Sequence, residues 1–235
     1  MSKSAILLAG VALAVVLGRA QAQNPSAQGA AAPGTPAATA AAPGSADTQN
    51  PADIVQAAAQ GMLNALDKDR ATYKRDPAKI RQLVDQYLLP HWDTEYSARL
   101  VLGKFWRTAT PDQRQRFIEA FYHSLLANYG SALAEFTSDR LKIYPSPADP
   151  GKQSASVRTE VKRDNGDRVS VNYYMHKTPQ GWKAWDVVID GISYVNSYRT
   201  DFGEQIEQQG IDPVIKRLES GEKPEAIGKQ TAGKS

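Results

Sequence analysis

The hydrophobic pattern changes its period once along this chain of 235 residues, and that change constrains the fold more than any other feature. From Asn50 to about Phe136, apolar residues recur at the three- and four-residue spacing of a helical face. From Leu141 to Ile189, they alternate with polar residues, as in strands that bury one face. Helices followed by consecutive strands predict an α+β fold, with the N-terminal helices packed on an antiparallel sheet.

Start and stop signals divide the first part into four amphipathic helices. Two starts pair an N-cap residue with a proline at the first helical position. A third start is an aspartate, and the fourth is a capping box of the type Thr-x-x-Gln. The predicted starts are Asn50-Pro51, Asp76-Pro77, Asp93 and Thr110; Pro90 ends the second helix, and the third runs through Trp106.

The second part predicts a four-stranded antiparallel meander. Asn165-Gly166 is typical of a two-residue hairpin turn, and the segment 178–181 indicates a second turn. Gly191 breaks the last strand, and helical spacing returns from Val195. The predicted strands contain Leu141 and Ile143, then residues 155–161, 169–175 and 182–189.

Composition divides the chain into four segments. Lys3, an apolar run from Ala5 to Leu17, and Ala20-Gln21-Ala22 have the three regions of a cleavable secretory signal, so we predict a signal peptide at 1–22. The run is too short for a spanning helix, which needs about 20 apolar residues. Residues 23–49 are rich in alanine and proline and predict a disordered tether. A single domain at 50–220 and a flexible tail at 221–235 follow.

The sequence lacks the residues that several classes of chemistry require. There is no cysteine, which excludes disulfides, thiolate metal sites and the acylated cysteine of a lipoprotein. The formal charge of +3 includes Lys3 and Arg19, so a mature chain would carry +1, too little to bind nucleic acid without a basic patch. The histidines at 91, 123 and 176 lack metal-ligand spacing, and no Gly-x-Ser-x-Gly motif occurs. We therefore predict no metal site and no catalytic residue.

Two other interpretations stay open at this point. Asp186 and Asp190 lie on the last predicted strand near Tyr173 and Tyr174 of its neighbour, and a carboxylate beside a phenol can transfer protons in an apolar cavity. This pattern would suit an enzyme acting on a small apolar substrate. Such residues are also common as hydrogen-bonded strand and turn positions. The other alternative is a structural adaptor whose aromatic side chains fill a solid core.

Three stretches of the sequence resemble the MlaC-type toluene-tolerance proteins. They cover most of residues 54 to 218 in the family's order. Trp185 stands where the family often has tyrosine, and the alanine- and proline-rich tether is not typical of the family. The stretches are Leu102-Gly103-Lys104-Phe105-Trp106-Arg107-Thr108-Ala109-Thr110-Pro111 with Gln113-Arg114 and Phe117; Tyr129-Gly130; and Trp185 to Ser193 with Asn196, Tyr198, Arg199 and Phe202.

The resemblance implies a periplasmic phospholipid-binding protein with no cofactor other than its lipid cargo. Such a protein carries lipid between an outer-membrane lipoprotein complex and an inner-membrane ABC transporter complex, which maintains the lipid asymmetry of the outer membrane. The implied fold is a helical layer on a four-stranded sheet, related to the cystatin or nuclear-transport-factor-like shape, with acyl chains in an apolar cavity between the layers. A shuttle of this kind works most simply as a monomer.

Helix faces and one strand face should converge on this cavity. We expect its lining to come from the third and fourth predicted helices, from one face of the last two strands and from the segment that follows them. The expected lining residues are Leu102, Trp106, Phe121, Leu125, Val171, Tyr173, Trp185, Val187, Ile189, Ile192 and Val195.

Overall fold

The computed structural model describes residues 50–134, 137–146, 151–163 and 165–222. The predicted signal peptide at 1–22, the predicted tether at 23–49 and the tail beyond Glu222 lie outside the described residues. The domain predicted from residue 50 onward is therefore the part of the chain described below.

Helices precede and follow the sheet in the described ranges. Between α3 and α4, the chain forms a π-helical turn at Val84–Leu88 and a 3-10 turn at Leu89–His91, and another 3-10 turn lies at Ser138–Arg140. The α-helices are α1 (Pro51–Lys68), α2 (Arg70–Arg75), α3 (Pro77–Leu83), α4 (Thr94–Leu102), α5 (Phe105–Thr108), α6 (Pro111–Leu133), α7 (Tyr194–Gln209) and α8 (Ile211–Glu219).

The predicted helix starts are confirmed by their caps. The side chain of Asn50 accepts a hydrogen bond from the amide of Ala52, at 2.9 Å. Asp76 and Asp93 cap α3 and α4 in the same way. Thr110 and Gln113 form the reciprocal capping box before α6, at 3.0 and 3.1 Å. Each cap satisfies an amide that has no partner within its helix.

The third predicted helix is interrupted at Gly103, which was not predicted. Gly103 has a φ of +53°, where L side chains are strained, and its amide donates to the carbonyl of Arg99. A Cβ at this position would also lie 3.0 Å from Nε of Arg199. Trp106 therefore belongs to the separate short helix α5.

Helix α1 lies close against the turn that follows α3. A Cβ on Gly61 would approach the ring atom Cδ1 of Tyr87 to 2.6 Å, so only glycine allows this contact. Tyr87 belongs to the π-helical turn, and Pro90 lies in the 3-10 turn that ends the segment. This packing holds Leu88 and His91 beside α1.

The sheet contains five antiparallel strands in the order β1-β2-β3-β4-β5, where four were predicted. The additional strand is short, because Asp190 and Gly191 have φ values of +48° and +84° and turn the chain back to pair with the end of β4. The strands are β1 (Leu141–Ile143), β2 (Ser154–Lys162), β3 (Arg168–Thr178), β4 (Gly181–Ile189) and β5 (Ile192–Ser193).

The loop between β2 and β3 is longer than the predicted two-residue turn. Lys162 and Arg168 are the last paired residues, and beyond them the amide of Arg163 donates to the carbonyl of Asp167 at 2.8 Å. The second predicted turn is confirmed, since Thr178 pairs directly with Gly181.

One face of the sheet packs on the helices. Val157, Tyr173 and Val187 lie side by side on β2, β3 and β4. Next to them on the same face, Val171 of β3 pairs with Ile189 of β4. The valines and Ile189 are almost completely buried in the helix-facing core. Alternation along a strand places the residues between them on the opposite face. Within the described ranges, none of the helices combines the length and the hydropathy that a bilayer-spanning segment requires.

Candidate functional site

A pocket of about 380 Å³, including its open mouth, lies between α1, the turns that follow α3, and strands β3 and β4. Seven of the side chains around it are apolar, and two carry a polar group. The lining residues are Ile54, Val55, Ala58, Ala59, Leu88, His91, Tyr173, Met175 and Ala184.

Small side chains explain why this space is open. Ala58 and Ala59 face it from α1, and Ala184 faces it from β4, where it pairs with Met175 of β3. Larger residues at these positions would bring side-chain atoms into the space between helix and sheet. A protein core is normally close-packed, so an apolar gap of this size is a candidate ligand site.

A second pocket of about 230 Å³ lies on the other flank of α1 and shares Ala59 with the first. It is bordered by Leu63 of α1 and by Leu141 and Ile143 of β1. Helix α1 therefore crosses the sheet with open space on both of its sides.

The two polar groups of the first pocket are both uncharged at neutral pH. Burial raises the pKa of Tyr173 to about 12, so its phenol keeps its proton. Burial, and secondarily the positive charge of Lys183, lowers the pKa of His91 below its ordinary value, which favours the neutral imidazole. The pocket thus offers hydrogen-bonding groups without a net charge.

The structure brings four of the predicted lining residues together on the sheet. Val171 pairs with Ile189, and Tyr173 pairs with Val187, so these four form one contiguous patch on the helix-facing side. Tyr173 is the member of the predicted set that also borders the pocket, as far as the described residues show.

The predicted helical residues lie elsewhere in the domain. Phe121 packs in an aromatic cluster with Phe117, Tyr198 and Phe202, at ring-centroid distances of 5.0 to 5.6 Å. Leu102 and Leu125 are buried in the core. These residues fill the space around α6 and α7 and do not border the pocket.

Trp106 and Trp185 lie apart from the pocket. Trp106 is half-buried beneath the guanidinium of Arg114, 5.0 Å from the ring centroid. Trp185 lies at a bulge in β4, where its ring contacts Tyr96 at 5.7 Å and Tyr174 at 6.0 Å. Tyr174 is 39% exposed on the outer face of the sheet. The two remaining predicted residues, Ile192 and Val195, lie in β5 and in the first turn of α7.

The sequence argument missed the contribution of α1. Ile54 and Ala58 belong to the predicted apolar stripe of that helix, but nothing in the stripe distinguishes a gap from a packed contact. One signal was available in the run Ala57-Ala58-Ala59, because small side chains reduce the volume that a helix can fill. The expected lining also omitted Met175, although this residue belongs to the alternating pattern of β3.

The carboxylate of Asp186 stabilises the start of α7 through two hydrogen bonds. Its Oδ2 accepts a hydrogen bond from the hydroxyl of Ser193 at 2.6 Å, and its Oδ1 accepts one from the amide of Val195 at 3.0 Å. Burial raises the pKa of Asp186, while these donors oppose the shift. Asp190 is exposed and accepts from the amide of Ser170. Both carboxylates thus have structural partners.

Replacing Asp186 with alanine is expected to destabilise the domain by about 2–4 kcal/mol, because the buried amide of Val195 and the hydroxyl of Ser193 would lose their acceptor. Urea denaturation monitored by circular dichroism measures this loss. Asp190→Asn is the control and should lower the free energy of unfolding by less than about 1 kcal/mol, since Asp190 is exposed and asparagine keeps an acceptor oxygen and tolerates the positive φ. Equal stability of Asp186→Ala and the natural protein would contradict the structural role.

The histidines do not form a metal site in the described part of the chain. His176 contacts Asp93 at 2.9 Å and stacks near Tyr96, whereas His91 borders the pocket and His123 is exposed. Across the described residues, no group of three or more histidine, aspartate or glutamate side chains could hold a metal ion.

The fold and the pocket together define a class of protein. An α+β domain that leaves an apolar, partly open pocket between a helix and the sheet is a ligand-binding fold, and the lining suits an apolar ligand.

Comparison with known proteins identifies the family. The family model of the MlaC protein matches residues 56–220, which is more than half of the chain. The chain therefore belongs to the MlaC family.

Two curated relatives and one solved structure agree with this membership. The toluene tolerance protein ttg2D of Pseudomonas putida is 33% identical over 165 residues, covering 70% of this chain and 76% of that protein. The intermembrane phospholipid transport system binding protein MlaC of Haemophilus influenzae is 23% identical over 173 residues, covering 72% of this chain and 81% of that protein. A phospholipid-binding protein from Ralstonia solanacearum, solved in complex with a phospholipid, superposes with a TM-score of 0.68 at 28% identity, covering 74% of this chain and 97% of that one.

Proposed function

We propose that this protein is a periplasmic phospholipid carrier that moves lipid between outer-membrane and inner-membrane complexes and so maintains outer-membrane lipid asymmetry. The observation that carries the proposal is the apolar pocket between α1 and the sheet, found in a chain of the MlaC family. Its ligand is a phospholipid, and its partners are an inner-membrane ABC transporter complex and an outer-membrane lipoprotein complex.

The energetics of lipid transfer define what such a carrier must do. A lipid with two acyl chains contains roughly 30 methylenes, and exposing each to water costs about 0.8 kcal/mol, or on the order of 24 kcal/mol in total. Non-covalent affinities reach at most about 18–21 kcal/mol. The cavity therefore holds the chains about as well as a bilayer does, and contacts with the partner complexes set the direction of transfer.

The pocket has to widen to accept two acyl chains. Its space of about 380 Å³ includes solvent at the open mouth, so the enclosed part is smaller than the roughly 300–1,000 Å³ typical of ligand pockets. The second pocket on the other flank of α1 shares Ala59 with the first, and its side formed by Leu63, Leu141 and Ile143 suits an acyl chain, whereas Gln56 and Gln60 make the rest of it polar. We infer that a shift of α1 away from the sheet widens the first pocket over Tyr173 and Met175.

The carrier works without catalysis. The enzymatic alternative needs a free carboxylate beside a tyrosine in the cavity, but the oxygens of Asp186 accept hydrogen bonds from Ser193 and Val195. We further propose that residues 1–22 direct export, that 23–49 form a tether, that 50–220 form the lipid-binding domain with a tail at 221–235, and that the mature protein acts as a monomer.

Native mass spectrometry of the protein purified from the periplasm of a Gram-negative host tests this function. We expect a mass increase equal to one phospholipid, which organic extraction removes, and a mature chain that begins at Gln23. Protein refolded from denaturant without lipid is the control for adventitious binding. A periplasmic protein that carries no lipid, and that takes none from added vesicles, would contradict the proposal.

A further inference from the structure

The pocket presents two hydrogen-bond donors in an otherwise apolar lining. Tyr173 lies on the helix-facing side of β3 between Val171 and Met175, and its hydroxyl has no hydrogen-bond partner among the described residues. His91 enters from the 3-10 turn beside α1 and likewise has no partner within the described ranges. Neither polar group is among the fully buried unpaired atoms of the described residues, so each is open to water in the pocket. A ligand that displaces this water has to supply an acceptor in its place.

The chemistry of these donors restricts the acceptor. Burial keeps the pKa of the Tyr173 phenol high, and the lowered pKa of His91 favours its neutral form. Neither group therefore neutralises an anion inside the pocket, and Lys183, whose charge acts on His91, does not border it. A desolvated carboxylate or phosphate would have no cation among the lining residues. A neutral carbonyl oxygen accepts from both donors at no such cost.

A phospholipid carries neutral carbonyl oxygens at one place, where its acyl chains are esterified to glycerol. If the chains extend along the apolar space beside α1, as the proposed function requires, the esters that join them lie in the pocket that Tyr173 and His91 border. We propose that Tyr173, assisted by His91, donates hydrogen bonds to the ester carbonyl oxygens of the bound lipid, so that the pocket prefers ester-linked over ether-linked lipids. This inference rests on the proposed function and adds the group that is recognised.

An ether lipid provides the matched ligand for a test. Dioleoyl phosphatidylethanolamine and its dioleyl ether analogue share the head group and chain length and differ in the two carbonyl oxygens. The delipidated protein is equilibrated with vesicles that contain equal amounts of the two lipids. Native mass spectrometry then gives the ratio of the two bound forms directly.

We expect the natural protein to bind the ester lipid about three- to tenfold in excess, as one or two neutral hydrogen bonds would provide. Tyr173→Phe should bring the ratio close to one, and His91→Leu should lower it by about twofold. The control is Tyr174→Phe, which removes the same hydroxyl from the next residue on the opposite face of the strand and should leave the ratio unchanged. If Tyr173→Phe does not fold, the result with His91→Leu decides.

The outcomes separate this inference from the function on which it rests. Binding of both lipids in equal amounts by the natural protein, or an unchanged ratio in both pocket variants, would overturn ester recognition and leave the carrier function standing. Binding of neither lipid would overturn both. A ratio that falls equally in Tyr174→Phe would show that the effect does not arise in the pocket and would also overturn the inference.

Discussion

Replacing Ala58 with tryptophan is expected to lower the amount of phospholipid bound to the protein at least tenfold while the domain stays folded. Ala58 lies on α1 and faces the pocket, where its small side chain leaves room between helix and sheet. The indole would occupy the volume that the acyl chains need, and a loss of only about 1.4 kcal/mol of binding free energy is tenfold in affinity. Lipid extraction with quantitative mass spectrometry, normalised to protein, measures the change.

The neighbouring residue provides the control for this experiment. Ala57 lies on the exposed side of α1, so Ala57→Trp adds the same indole to the same helix outside the pocket. Its lipid content should equal that of the natural protein. Normal lipid content in folded Ala58→Trp would show that the acyl chains lie elsewhere in the domain.

Replacing Phe121 with alanine is expected to destabilise the domain by about 3–5 kcal/mol, the usual cost of removing a large aromatic side chain from a close-packed core. Phe121 is 5% exposed and contacts three aromatic rings within 5.6 Å. The cavity left by its ring would be enclosed by Phe117, Tyr198 and Phe202, which are held by two helices. The midpoint of urea denaturation should fall accordingly.

This experiment also distinguishes a core residue from a lining residue. At temperatures where Phe121→Ala remains folded, it should retain lipid close to the natural amount, because Phe121 does not border the pocket. Phe105→Ala serves as a comparison and should lower the free energy of unfolding much less than Phe121→Ala, since Phe105 is only half-buried. Loss of lipid from folded Phe121→Ala would place the acyl chains between α6 and the sheet, as the sequence argument expected.

The local features of the fold were predictable because each depends on a few neighbouring residues. The caps at Asn50 and Asp76 and the capping box at Thr110 need only short-range hydrogen bonds, and all of them form. The interruption at Gly103 was missed because the helical spacing continues through it. Glycine is required there because the backbone has a positive φ and because Arg199, which is distant in the sequence, lies close to it.

The predicted lining residues stay a prediction, although the structure places Phe121 and Trp185 away from the pocket that Ala58 borders. The sequence identified Phe121 and Trp185 as large apolar residues on convergent elements, but Phe121 packs against α7 and Trp185 faces Tyr96 and Tyr174. Tyr173 could be assigned to the helix-facing side of the sheet from the sequence, because the alternation of β3 fixes which side chains share a face. Helical stripes fix a face only approximately, so they do not identify the neighbour that each residue meets.

The sequence by itself determined the succession of a helical part and an antiparallel meander, the main helix starts and the resemblance to the family, since these follow from periodicity, capping and motif. Only the tertiary structure decided where the interior stays open. A gap forms where small side chains on two distant segments meet, here Ala58 on α1 and Ala184 on β4. The volume between them depends on the distance from helix to sheet, which the whole packed domain sets and no single segment encodes.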